Sequence, residues 1–203
     1  MAYAYYTVDQ NDFVAVPELA ASNSFTGVQT FIGTTDSEST TTGTIVISGG
    51  LGVQGNLYAS KVWGCVWNDL TDCIDVPSTT ILEYGKCYCF DGKKYYKSSK
   101  YLDDGIIGIH SDTAGFEMGK KQEVRQLHIG VAGFLLCYVD KEYPIGTPLT
   151  CTENGYLTKL KDEDISKNPH KIIGTFWKVE PKEKWGPEGK EVFVNGRMWI
   201  KVR

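Results

Sequence analysis

The first 60 residues of this 203-residue chain contain no lysine and no arginine. Five acids fall there (Asp9, Asp12, Glu18, Asp36, Glu38), so the segment carries a charge of −5 inside a chain whose formal net charge is −4. A general nucleic-acid binder is excluded on that basis, because such proteins present basic faces to neutralise phosphate. The chain also lacks any apolar run approaching the ~20 residues of a membrane-crossing helix, so no membrane insertion is expected. A positively charged leader is missing from residues 1–8, MAYAYYTV. The chain is therefore expected to be made in a cytoplasm and not exported by that route. Histidine is scarce, with three residues, and the six cysteines (Cys65, Cys73, Cys87, Cys89, Cys137, Cys151) fit no zinc spacing. Cys87 and Cys89 have one intervening residue rather than two, and no second pair follows. Buried structural thiols are expected, with no metal site and no cofactor.

What is abundant points to β structure. There are 12 Tyr, 8 Phe, 5 Trp and 22 Gly. Aromatic and β-branched residues favour strands, and glycine marks the turns between them. All 21 basic residues lie beyond residue 60. That shift sets a boundary between two regions of different character.

The first region has two parts. Residues 1–21 read as an anchor: Tyr3, Tyr5, Tyr6 and Phe13 give it an aromatic surface, and Pro17 starts one short helical turn. So short a piece needs a partner surface. Residues 22–60 read as a thin stalk. Twelve of the 23 positions from 22 to 44 are Ser or Thr. From 44 to 59 the odd positions are apolar or small (Ile45, Ile47, Gly49, Leu51, Val53, Gly55, Leu57, Ala59), while the even ones are mostly polar. Period two over that length predicts extended chain with one face to hide. Little within one chain is available to cover Ile45, Ile47, Leu51, Val53 and Leu57. Three copies around one axis would cover them.

Residues 61–203 read as a β-rich head. Short apolar runs alternate with turn signals at residues 90–93 (FDGK), 102–105 (LDDG), 153–155 (ENG) and 194–197 (VNGR). Asp-Gly and Asn-Gly in such settings signal hairpins. Strands are predicted at 87–90, 94–97, 106–110, 127–137, 176–179, 192–194 and 198–202. The segment is long enough to bury a core.

Several constellations invite a chemical reading. His110, Ser111 and Asp112 place base, nucleophile and acid side by side, but neighbours on a strand point to opposite faces and cannot pair. His128 sits in an apolar run and His170 in a turn after Asn168-Pro169. Asp162, Glu163 and Asp164 form a charge run of the kind that usually faces solvent rather than a glycosidase pair. No catalytic residue is assigned. Trp177, Trp185 and Trp199 are the candidate glycan contacts, with Tyr95, Tyr96 and Tyr101 as further aromatics, because their ring faces can stack on sugars.

Two segments carry a family resemblance. Residues 23–31, NSFTGVQTF, resemble the N-x-F-T-G-x-Q-T-F phrase of tailed-bacteriophage fibres. Residues 39–58, STTTGTIVISGGLGVQGNLY, resemble the repeat of fibre shafts, with its glycines, asparagine and apolar positions in register. Across the head, GIIGIHSDTAGF (105–116), VAGF (131–134), YPIGTPL (143–149), GYLTK (155–159) and IGT (173–175) are similar in order to the C-terminal domain of tailspikes known as the G2 peptidase or intramolecular chaperone family. That resemblance implies a trimerising β-domain. Its self-cleavage is not carried over, since no serine dyad can be placed residue by residue.

The resulting expectation is a mainly β virion protein in three parts: a virion anchor (1–21), a trimeric β-stalk (22–60) and a β-rich globular head (61–203). Its partners would be its own copies, capsid or tail proteins, and a host cell-surface glycan. A head fibre or capsid decoration is favoured. A tail fibre or tailspike component with a receptor-binding or self-cleaving C-terminal domain is the alternative.

Overall fold

A computed structural model describes residues 28, 30–36, 41–48, 51–57, 59, 68–119, 125–186, 188–189 and 191–202. The expected anchor residues Tyr3, Tyr5, Tyr6 and Phe13, the helical turn at Pro17, and Cys65 lie outside these. The chain divides into two compact units, Met1–Ser60 and Lys61–Arg203.

In the first unit, no described residue belongs to a strand. The sequence pattern predicts extended chain here, but a strand also needs a neighbour to receive its backbone hydrogen bonds, and no such ladder is formed among the described residues of this unit. The apolar side chains are open: Ile45 is 52% exposed, Leu51 66% and Leu57 66%, with Ile47 and Val53 close behind. Val46, on the opposite parity, is as exposed as Ile47. One chain alone therefore buries neither face. Within this unit Gly33 lies against Thr44, so closely that a Cβ there would fall 2.1 Å from Thr44 Oγ1.

The described residues of the second unit form twelve strands: β1 (Asp69–Asp75), β2 (Cys87–Phe90), β3 (Tyr95–Lys97), β4 (Ile106–His110), β5 (Ala114–Met118), β6 (Gln126–Cys137), β7 (Pro148–Cys151), β8 (Leu157–Lys159), β9 (Gly174–Val179), β10 (Lys184–Trp185), β11 (Val192–Phe193) and β12 (Met198–Val202). One helical turn, α1 (Asp162–Ile165), and two 3-10 turns complete it. The fold is mainly β, as the composition indicates. Ten strands form one sheet in the order β3-β2-β4-β6-β12-β9-β7-β8, with β1 joining at β6 and β5 beyond it. All pairings between these strands are antiparallel except β1 with β5, and an isolated parallel bridge joins Val139 to Leu157.

The twelve-residue β6 organises this sheet. Its first part pairs with β1 and its last part with β12, and Gly133 is the changeover, facing both Asp69 and Val202. Gly133 has φ +115°, and a Cβ on it would sit 2.3 Å from the Asn68 carbonyl oxygen. Only glycine permits that turn and that approach.

Two of the four turn signals act as read and two do not: the strands flanking Asp104-Gly105, β3 and β4, both pair with β2 instead of with each other. Asp91-Gly92 joins β2 to its partner β3, and Asn154-Gly155 joins β7 to β8. Asn195-Gly196 forms its turn, closed by Arg197 N–H donating to Val194 O at 2.9 Å. Its flanking strands do not pair with each other, however: β11 pairs with β10, and β12 lies between β6 and β9. The dipeptide specifies a reversal, and burial decides the partners.

The main core gathers Cys87, Ile109, Leu135, Leu149, Leu157, Phe176 and Ile200. Burying each large apolar side chain contributes about 1.5–3 kcal/mol. A second cluster holds Tyr88, Leu127 and Ile129, and a third Leu136, Val194 and Trp199. Cys87, Cys89, Cys137 and Cys151 are buried free thiols, while Cys73 is half-buried. No helix among the described residues is long and apolar enough to cross a membrane.

Candidate functional site

Strand β12 is buried on both faces, and this is what builds the site. Met198, Ile200 and Val202 point into the main core, while Trp199, one residue out of phase, points to the other side. There it meets Phe134 from β6 and the short β10–β11 ribbon, which brings Trp185, Val192 and Val194. Trp177 of β9 reaches the same face, because Phe176 takes the core position beside it.

These residues enclose a pocket of about 150 Å³ lined by Asn68, Phe134, Trp177, Lys178, Glu180, Trp185 and Trp199. All three tryptophans named as candidate glycan contacts therefore line one concavity, and Trp199 is the deepest of them. It is 2% exposed and forms the floor, its indole N–H donating to Glu180 Oε2 at 2.7 Å. Trp185 is half-buried and meets Trp199 edge to face at 5.0 Å. Trp177 is 41% exposed and lies 5.3 Å from the Phe134 ring. Lys201 stands over the other aromatic partner, its Nζ 4.4 Å from the Phe134 centroid. The result is a small hollow with aromatic walls and polar groups at its rim. It is smaller than the pockets of about 300 Å³ or more that enclose drug-sized ligands. It offers a stacking surface for one planar or ring-shaped group, with Asn68 and Lys178 beside it to hydrogen-bond.

The other aromatics do not join it. Tyr95 stacks on Phe90 at 4.6 Å. Tyr96 donates to Asp103, and Tyr101 donates to Asp164 while accepting from Lys161 N–H. Each is half-buried and serves the fold. Phe134, Lys178 and Glu180 were not named as site residues in the sequence. Phe134 sits within the predicted strand 127–137, and Lys178 and Glu180 lie near and just past the end of the predicted strand 176–179.

The remaining constellations separate as strand geometry requires. His110 and Ser111 are both buried, and they do not meet. His110 packs against Tyr84 and Tyr88, with Nδ1 lacking a partner, and burial lowers its pKa to about 4. Ser111 Oγ instead accepts from Thr113 N–H at 3.0 Å. Thr113 Oγ1 donates to the buried Asp69 carboxylate at 2.7 Å. Desolvation raises the Asp69 pKa to about 6 against the hydrogen bonds of Thr113 and Ser111. Asp112 leaves this group and forms a two-pronged pair with Arg197, at 2.7 and 2.9 Å. Asp162, Glu163 and Asp164 make up most of α1, and His170 is exposed in the 3-10 turn after Pro169.

No family model matches the chain, and no curated protein matches it. Among solved structures, the chain is similar to the crystal structure of the pre-mature bacteriophage phi29 gene product 12, at 14% identity and a TM-score of 0.47. The match covers 74% of this chain and 23% of that one, so this chain spans under a quarter of its neighbour's length, and a likeness of that degree carries no argument about what this chain does.

Proposed function

We propose that the chain is a structural protein of a tailed-bacteriophage particle, forming a short homotrimeric fibre of the head-fibre or capsid-decoration kind. Residues 1–21 are its attachment to capsid or tail proteins. Residues 22–60 are the stalk, and residues 61–203 the head. The head contacts host cell-surface glycans through the tryptophan pocket. The reading assigns no catalysis, no cofactor, no nucleic-acid partner and no membrane insertion, and places the protein in the virion.

The observation that carries it is the open apolar stripe. Ile45, Ile47, Leu51, Val53 and Leu57 are all about half exposed or more in one chain. Large apolar side chains left open together in one short segment mark an interface. Hiding each side chain is worth about 1.5–3 kcal/mol, and three copies hide three stripes at once. The shaft-like motif at 39–58 supports the same assembly. Three heads on one stalk would bind a repeated glycan with an avidity about 10²–10⁴ above a single site.

Leu51→Asp tests this. A carboxylate on the stripe would have to be desolvated in the trimer, so the variant is expected to sediment as a monomer with an intact head. A variant that still sediments as a trimer overturns the assignment of the stripe.

A further inference from the structure

Three metal-binding side chains that lie far apart in sequence meet on the β5-β1-β6 edge of the head. The antiparallel register of β1 and β6 sets Cys73 opposite His128, 55 residues away. The parallel register of β1 and β5 sets Glu117 beside Thr71, two positions from Cys73. Glu117 Oε1 lies 2.8 Å from His128 Nδ1, and Cys73 Sγ lies 3.8 Å from that same nitrogen. All three ligand atoms lie within 4.8 Å of one another.

The convergence is uneconomical for hydrogen bonding alone. An imidazole nitrogen has one in-plane position, occupied either by a proton or by a lone pair, yet both a carboxylate and a thiol face Nδ1. A cation placed among the three atoms satisfies all of them. In tetrahedral zinc, with Zn–S about 2.3 Å and Zn–N and Zn–O about 2.0–2.2 Å, the N···S and N···O separations come to about 3.6 and 3.4 Å. The observed separations of 3.8 and 2.8 Å differ from these by about 0.2 and 0.6 Å, within the reach of side-chain rotation about fixed strands. The local charge has the right sign. Glu117 brings a carboxylate to the cluster, and Asp72 and Asp75 flank Cys73 on β1. Those same carboxylates attract a cation. The site is reachable, with the Glu117 side chain 50% exposed and that of His128 27%.

We propose that Cys73, Glu117 and His128 form a three-ligand site for a borderline divalent transition metal, for which zinc is the best fit. Thiolate and imidazole ligands select against magnesium and calcium. Three protein ligands leave a fourth position for water or an outside donor. Binding breaks the Cys73 S–H bond and releases that proton to solvent, and Nδ1 coordinates through its lone pair with the imidazole proton on Nε2. The metal clamps β5, which among the described residues pairs only with β1, onto both β1 and β6. The site is independent of the fibre reading.

The test uses the full chain, freed of metal with a chelator and titrated with Co²⁺, then Zn²⁺. The expected result is a thiolate-to-cobalt absorption band that saturates at one cobalt per chain and disappears on zinc addition. Cys73→Ser is expected to abolish the band. Glu117→Gln, at an exposed side chain, is expected to weaken binding at least about tenfold with the metal-free melting temperature unchanged. Cys137→Ser, distant in the main core, is expected to leave the band intact. A band that survives Cys73→Ser, a folded chain that shows no band, or Glu117→Gln binding at full strength would each overturn the proposal.

Discussion

Trp185 and Trp199 meet edge to face, their ring centroids 5.0 Å apart and their planes at 75°. That contact, with Val192 and Val194 in the same cluster, ties the β10–β11 ribbon to the long sheet. Such a pair contributes about 0.5–1.5 kcal/mol beyond the area it buries. It also separates two roles within one pocket, because Trp199 holds structure while Trp177 faces outward.

The two roles predict different mutant behaviour. Trp199→Ala removes a buried ring and the donor to Glu180 Oε2, so it is expected to cost about 3–5 kcal/mol in a urea titration. Trp177→Ala, at a 41% exposed position, is expected to cost under about 1 kcal/mol. It should nevertheless lower the affinity for a bound oligosaccharide at least about fivefold, the low end of about 1–3 kcal/mol for a stacked ring. Isothermal titration against a glycan panel reads this out. Wild-type affinity in the Trp177 variant would remove the pocket from glycan contact.

Gly133 makes a sharper prediction about the fold. Its φ of +115° and the 2.3 Å approach to the Asn68 carbonyl leave no room for a side chain. Gly133→Ala is expected to destabilise the head by about 2 kcal/mol or more, seen as a lower urea midpoint. Gly92→Ala, where a Cβ meets nothing within 4 Å, should lose less, since only the backbone conformation is strained.

Arg197 is 3% exposed and bonds Asp112 with both terminal nitrogens, while its Nε donates to Val194 O. It joins the turn before β12 to the turn after β4. Arg197→Met strands the largely buried Asp112 carboxylate and is expected to cost about 3–5 kcal/mol. Arg197→Lys should recover only part of that, because an ammonium cannot make the two-pronged contact. A double-mutant cycle with Asp112→Asn isolates the pair.

Asp69 and His110 give the head opposing pH responses. Asp69 has its pKa raised from 3.8 to about 6. Its folded form holds the proton more tightly, so its contribution is full below 3.8 and is lost as pH rises through about 6. His110 has its pKa lowered from 6.5 to about 4. Its contribution is full above 6.5 and is lost as pH falls through about 4. In the wild type the two slopes offset between about pH 4 and 6. Asp69→Asn should unmask a stability that falls toward acid, and His110→Gln one that falls toward neutral pH. Urea midpoints across that window check both signs.

Much of the head was legible because its signals are local. The apolar run of β6, the Asp-Gly and Asn-Gly reversals and the short strands β2 and β4 follow from residues close in sequence. Strand β1, DLTDCID, was not legible, because its pattern is inverted: Asp69 and Thr71 face inward and Asp72 outward. The buried Asp69 is tolerated only because Thr113, 44 residues away, donates to it, and no window on β1 reveals that. The tryptophans were legible as ring surfaces, but not their division into floor and wall, which depends on β12 being covered on both sides. The meeting of Cys73, Glu117 and His128 was also hidden. It is created by the register of three strands, and ligand spacing along the chain carries no trace of it.

The central claim is that residues 44–59 cannot stay covered in a single copy. Light scattering of the full chain in solution, coupled to size exclusion, tests it most directly. The account predicts one species at three times the chain mass of 22.6 kDa. A species that stays at the mass of one chain at all concentrations would contradict it.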